Sequence, residues 1–170
     1  MSEKELKKKV FERLRPYFHI FEEINGTHFS GKKFRIDAVI KPIDNTDWKN
    51  PNISFGIEFK KPSIEYDIRG VTGLIRQAYD YQYTVFEKFG KIPILICPLK
   101  LHPCLGEGSI TFARHLIGKF GIGEISNPKH RGLSIVFQES HYIWDERDGV
   151  TLGKRWAFLD KDFPSDVLVE

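Results

Sequence analysis

Two apolar runs decide how this chain is read: Phe34-Arg35-Ile36-Asp37-Ala38-Val39-Ile40 and Ile53-Ser54-Phe55-Gly56-Ile57-Glu58-Phe59-Lys60. Their β-branched and aromatic content predicts strands. In the second run, the two-residue period of a strand puts Glu58 and Lys60 on one face and Ile57 and Phe59 on the other. A carboxylate and an ammonium placed amid Ile, Phe and Val need a reason. The acid of the first run supplies one. Asp37 and Glu58, on neighbouring strands, can share a divalent cation, with Lys60 beside the water that the cation activates.

Working outward, Ser2 to Arg15 reads as a helix. Ser2 is the N-cap, Glu5 closes a capping box and Pro16 ends the element. Leu6, Val10 and Leu14 form its core stripe, and Lys4, Lys7, Lys8, Lys9, Arg13 and Arg15 dress the remainder as a solvated face. Tyr17 to Ile24 is a first strand, with Asn25-Gly26 and Gly31 marking a loop or hairpin turn before the Asp37 strand. Pro42 to Asn52 is a polar loop. The longest helix is expected from Tyr66 to Phe89, with Val71, Leu74, Ile75, Ala78, Tyr81, Gln82 and Val85 near one face and Gly90 closing it. Ile92 to Cys97 is a continuous apolar run suited to a buried strand. A helix from Ser109 to Phe120 and a peripheral hairpin of Leu133 to Gln138 and Tyr142 to Trp144 follow. From Gly149 onward the pattern assigns nothing. No repeat or linker divides the 170 residues, so the expectation is one α/β domain, residues 1–170, with a mixed central sheet flanked by helices.

Composition removes several classes of function. A net charge of +3 permits a nucleic-acid partner without demanding one. Cys97 and Cys104 lack metal-type spacing and read as reduced thiols. His102-Pro103-Cys104 lacks the second pair of a structural zinc site, and the other histidines show no ligand spacing. Gly118 to Gly123 carries no Lys-Ser/Thr partner for a phosphate loop, which disfavours a nucleotide-handling protein of another α/β family. No apolar run reaches the ~20 residues of a membrane span, and the lysine-rich start has no signal-peptide centre. The expected location is intracellular and cytoplasmic, with no membrane partner.

The order helix, strand, strand, strand, helix, strand, combined with Asp37 and then Glu58-Phe59-Lys60 after 20 intervening residues, resembles the PD-(D/E)XK nuclease superfamily, the restriction-endonuclease-like fold. The resemblance covers about residues 3–98, an αβββαβ core. Gln77 and Tyr81, one helical turn apart, are similar to the Gln-x-x-x-Tyr pair of the RecB-like and lambda-exonuclease-like branches. Ile36 stands where the family motif has proline. The family also uses a glutamate of the first helix. Among Glu3, Glu5 and Glu12, helical phase favours Glu3, which shares the stripe of Leu6 and Val10.

The resemblance implies a nuclease that hydrolyses DNA phosphodiester bonds with Mg²⁺ or Mn²⁺. Asp37, Glu58 and the main-chain carbonyl of Phe59 would hold the metal, with Glu3 as a further ligand. Lys60 would orient the attacking water, and Gln77 would hold a phosphate or water. Lys32, Lys33, Arg35, Lys61 and Tyr81 would contact the nucleic acid. DNA is the expected partner, a homodimer a further expectation, and a virus- or plasmid-encoded origin is in view. The alternative is a catalytically silent member of the fold that only binds nucleic acid or protein.

Overall fold

The computed structural model of the chain describes residues 1–61, 68–97 and 115–158. The first helix, α1, spans Glu3–Leu14 with both halves of the expected capping box in place. The Ser2 hydroxyl accepts the Glu5 N–H at 3.2 Å, and Glu5 accepts the Ser2 N–H at 2.7 Å. The Ser2 N–H, and after it the Ser2 hydroxyl donating at 3.1 Å, hold the Glu5 carboxyl below its ordinary value. Leu6, Val10 and Leu14 are buried as the period requires, and Phe11 joins them.

The strands β1 (Phe18–His28), β2 (Lys33–Pro42) and β3 (Phe55–Phe59) follow, with β2 antiparallel to both of the others. Then come α2 (Ile68–Tyr81), β4 (Thr84–Phe86) and β5 (Ile94–Cys97). With β6 (Gly123–Ser126), β7 (Ser134–Phe137), β8 (His141–Asp145) and β9 (Gly149–Val150), the described residues form one nine-stranded mixed sheet, in the order β4-β1-β2-β3-β5-β6-β7-β8-β9. β5 lies parallel to both β3 and β6. The protein is therefore mixed α/β, with α1 and α2 on opposite faces of the sheet. α1 packs on Phe55, Ile57, Phe59 and Leu95, and α2 packs on Ile36, Val39, Ile94 and Ile96. No helix among the described residues is long and apolar enough to cross a membrane.

Three expectations from sequence need correction. Asn25-Gly26 is not a turn, because β1 runs through it to His28. Gly26 lacks a side chain because the side chains of the paired strand β4 fill that space: a Cβ would sit 2.5 Å from Thr84 Cγ2 and 2.8 Å from Phe86 Cδ1. The second helix ends at Tyr81 rather than Phe89. Residues 84–86 leave it to pair with Gly26, Thr27 and His28, and the Thr84 hydroxyl caps the Asp80 carbonyl at 2.9 Å. Val85, assigned to the buried face, is 47% exposed. The start of that helix at Tyr66, the 109–114 part of the expected third helix, and His102-Pro103-Cys104 lie outside the described residues. Residues 115–119 are helical.

The hairpin of β7 and β8 is not peripheral. Leu133, Ile135, Phe137, Ile143 and Trp144 are buried in the same cluster as α1. The sheet curls far enough for Trp144 to meet Phe18, ring centroids 4.9 Å apart. Glu146 fixes this arrangement. It accepts the Leu133 N–H at 2.8 Å and is held by the Arg13 guanidinium, one contact of which is Nε to Oε1 at 2.9 Å. Although partial burial raises it, these partners hold the Glu146 carboxyl below its ordinary value. The unassigned tail supplies β9, a 3-10 turn (Leu152–Lys154) and Trp156, which packs on Phe137 at 4.7 Å.

Replacing Gly26 by Ala should cost about 1–3 kcal/mol, the usual penalty of overpacking, because the methyl displaces β4. Urea denaturation of the two proteins checks the value, and an unchanged midpoint would mean that β4 is not held in this way.

Candidate active site

Antiparallel registry brings the two acids together. The β2–β3 ladder runs Ile40↔Phe55, Val39↔Gly56 and Ala38↔Ile57, so its next step sets Asp37 opposite Glu58. The ladder stops at that step. Instead of a backbone carbonyl, the Asp37 side chain takes the Phe59 N–H, at 2.8 Å to Oδ2. The N–H and C=O of one strand residue point to the same neighbour, so the Phe59 carbonyl also faces the β2 side.

The β1–β2 pairing is interrupted at the same height. Its register is constant, but the Glu23/Asp37 step is missing from the ladder, and Glu23 has a φ of 56°. Across this step the ribbon exchanges layers. Ala38 and Ile40 pack in the α1 layer, whereas Ile36 and Phe34 pack under α2. Strict alternation would have kept Ile36 with Ala38. Asp37 therefore sits at a seam between the two layers and is accessible to residues from both helices.

Glu58 points to the α2 side and is 4% exposed. Its Oε1 accepts the Lys60 ammonium at 2.9 Å, so Glu58 and Lys60 share a face as the alternation required. Its Oε2 accepts from the Tyr81 hydroxyl at 3.3 Å. That hydroxyl receives the Gln77 amide at 2.6 Å and also lies 3.1 Å from the Arg35 carbonyl, so its one proton is shared between two acceptors. Burial, with the charge of Asp37 adding to it, pushes the Glu58 carboxyl above its ordinary value despite Lys60 and Tyr81. Lys60 is pulled down by burial, but Glu58 outweighs this and leaves it raised, with Glu3 and Asp37 contributing. Tyr81 is raised by burial and by the Glu58 charge, which keeps it a hydrogen-bond donor.

The candidate residues fall into two groups. Asp37, Glu58, Lys60, Gln77, Tyr81 and the Phe59 backbone converge. Glu3 is half-buried and its charge reaches Lys60. By contrast Glu5 is occupied in the cap, and Glu12 pairs with Lys8 at 3.9 Å. Lys32, Lys33, Arg35 and Lys61 are exposed and do not join the centre. Lys32 lies 4.9 Å above the Phe34 ring, Lys33 bonds the Thr27 hydroxyl at 2.8 Å, and Arg35 pairs with Glu23 at 3.7 Å. Two placements bear on the expected roles. Tyr81 is 1% exposed and its hydroxyl meets Glu58. Gln77 is half-buried and gives its amide to the Tyr81 hydroxyl.

Sequence reading missed Lys7. Its Nζ lies 3.6 Å from Asp37 Oδ1 and 3.9 Å from Glu22 Oε2, with the side chain only 20% exposed. The signal was present. Lys7 is four residues after Glu3 and four before Phe11, on the inward stripe rather than the solvated face.

Comparison with known proteins adds no relative: no family model, curated protein or solved structure matches the chain. Among the described residues, no group of three or more His, Cys, Asp and Glu side chains converges as a metal-binding set. Two carboxylates remain, at opposed register positions across a broken ladder, with the Phe59 carbonyl on the same side of β3. All are hard oxygen donors of the kind Mg²⁺ and Mn²⁺ accept, and Mg²⁺ keeps several of its waters, so few protein ligands suffice. The raised Glu58 carboxyl fits as well, since a cation would relieve the repulsion from Asp37.

Because the folded state raises the Glu58 carboxyl, the folded protein holds this proton more tightly than the unfolded chain. The associated stability is full below the ordinary glutamate range and is lost as pH rises through the folded value. Glu58→Gln removes that loss. In EDTA, E58Q should melt higher than wild type at pH 7, with the gap closing toward pH 4. A scan of melting temperature against pH checks it, and a gap of opposite sign would contradict the burial cost.

Proposed function

We propose that this chain is a divalent-metal-dependent nuclease acting on DNA phosphodiester bonds, built on the restriction-endonuclease-like plan that its motif resembles. The observation that carries the reading is the pairing of Asp37 with the buried Glu58 across the interrupted β2–β3 ladder, with Lys60 on Glu58. An exposed ion pair is worth only about 0–1 kcal/mol, and burying one without a task is costly. A hydrolytic centre gives the arrangement a task.

Asp37, Glu58 and the Phe59 carbonyl would hold Mg²⁺ or Mn²⁺, with Glu3 close enough in charge to assist. When bound, the metal lowers the pKa of a coordinated water and neutralises charge on the phosphate. The chain's own residues do the rest. Lys60 orients the attacking water and stabilises the negative charge that grows on the phosphate oxygens. Tyr81, anchored by Gln77, holds Glu58 in one rotamer, so the carboxylate is preorganised. The hairpin lysines Lys32 and Lys33, exposed at the end of the β1–β2 ribbon, suit sequence-independent phosphate contacts.

One observation favours the silent alternative. Asp37 and Glu58 each already face a lysine, Lys7 and Lys60, so the pair is charge-balanced by the chain itself. The two readings part on cleavage. Purified protein incubated with linear, circular and branched DNA should cut in Mg²⁺ or Mn²⁺ and not in EDTA. Binding without cleavage in every divalent ion would establish the silent member instead.

Two outcomes follow for variants. Lys60→Ala should abolish cleavage while leaving DNA affinity within a few fold, since one phosphate contact among several is a small loss. The double replacement of Lys32 and Lys33 by Ala should flatten the slope of log affinity against log salt by up to about two units. An unchanged slope would mean that the hairpin points away from the DNA.

A further inference from the structure

The α1 lysine facing Asp37 bears directly on how the proposed metal enters. Asp37 has two oxygens, and Oδ2 is committed to the Phe59 N–H. Oδ1 is the oxygen left for a cation, and Lys7 is the group that faces it, at 3.6 Å. A Mg²⁺–oxygen bond is about 2.0–2.1 Å long. An ion bound to Oδ1 would therefore stand within a few ångströms of the ammonium, with screening weakened by partial burial.

We infer that Lys7 is the resident counter-cation of Asp37 and that it competes with the divalent ion for Oδ1, so that Lys7 sets the metal affinity of the site. This rests on the proposed metal-binding reading. Three features make Lys7 a releasable partner and not a fixed strut. The 3.6 Å separation is an ion pair without a short hydrogen bond. A second acceptor, Glu22 Oε2, stands 3.9 Å from the same ammonium and is half exposed, so Lys7 has a place to go. The ammonium also stands 5.8 Å and 6.0 Å from the Phe11 and Phe59 ring centroids, and aromatic faces attract a cation without fixing it at one point. In the ion-free centre Lys7 holds Asp37 ready. Once displaced, it leaves a positive charge at the rim of the site, where a phosphate would arrive.

Mn²⁺ titration calorimetry on the full chain, freed of metal with EDTA, tests this. Lys7→Met keeps the apolar stem and removes the charge. It should bind Mn²⁺ roughly tenfold more tightly or better, given one unit charge removed from the neighbourhood of a divalent ion. Lys7→Arg keeps the charge and should leave the affinity near wild type. Lys8→Met makes the same change in net charge on the same helix at a side chain that is 78% exposed, and should change little. If Lys7→Met does not fold, as judged by its melting curve, Lys7→Gln serves in its place. Wild type that binds Mn²⁺ while the neutral variant binds no more tightly would overturn the role of Lys7 and leave the metal reading standing. Wild type that binds weakly or not at all, with the neutral variant binding well, supports the inference. If neither binds, both fall.

Discussion

A single hydrogen bond between a side chain and a strand organises this molecule. Where β2 and β3 should continue their ladder, the Asp37 carboxylate accepts the Phe59 N–H. A buried main-chain donor must find a partner, and a carboxylate does this at the cost of one of its own oxygens. The ladder is thereby opened without leaving the amide unsatisfied. The opening falls at the register step that sets Asp37 opposite Glu58, on the side of β3 that the Phe59 carbonyl faces, and the ribbon exchanges layers between Ile36 and Ala38 at the same step.

The two helices meet at that opening from opposite sides. From below, α1 presents Glu3 and Lys7 on the stripe that also carries its core residues. From above, α2 presents Gln77 and Tyr81, and Tyr81 reaches Glu58 only because it is buried to its hydroxyl. The acids are thus each held by one lysine and by hydrogen bonds from rigid elements. The two acids are thereby preorganised, because moving either backbone position requires breaking a strand or unpacking the helix behind it.

Much of this was legible in the sequence where the signal is local. The Ser2–Glu5 cap, the stripe of Leu6, Val10 and Leu14, and the shared face of Glu58 and Lys60 follow from spacing alone. What escaped was decided by long-range pairing. Gly26 looks the same in sequence whether it makes a turn or leaves room for the side chains of a paired strand, and only β4 tells them apart. Thr84 to Phe86 continue a helical stripe, but the edge of β1 claims them. Lys7 resembles the four other basic residues of α1 until Asp37 is placed beside it. Tyr81 shares a helix face with Gln77, yet its burial against Glu58 depends on how α2 lies on the sheet. The hairpin at residues 133–144 read as peripheral because the curl of a sheet leaves no local trace.

That curl has a consequence for how the chain comes to be folded. Phe18, near the start of β1, is covered by Trp144, and Phe55 lies beside Trp156 with ring centroids 6.1 Å apart. The surface that α1 and the first three strands present is completed by residues made about a hundred positions later. During synthesis, at the usual 5–20 residues per second, the first half stays open for several seconds before its cover exists. Non-local contacts of this kind also slow folding, because the connecting chain must be closed before the contact is made. The early strands therefore lack part of their apolar cover until the later residues have been made. The proposed centre at Asp37 and Glu58 is assembled early in sequence but secured late in time.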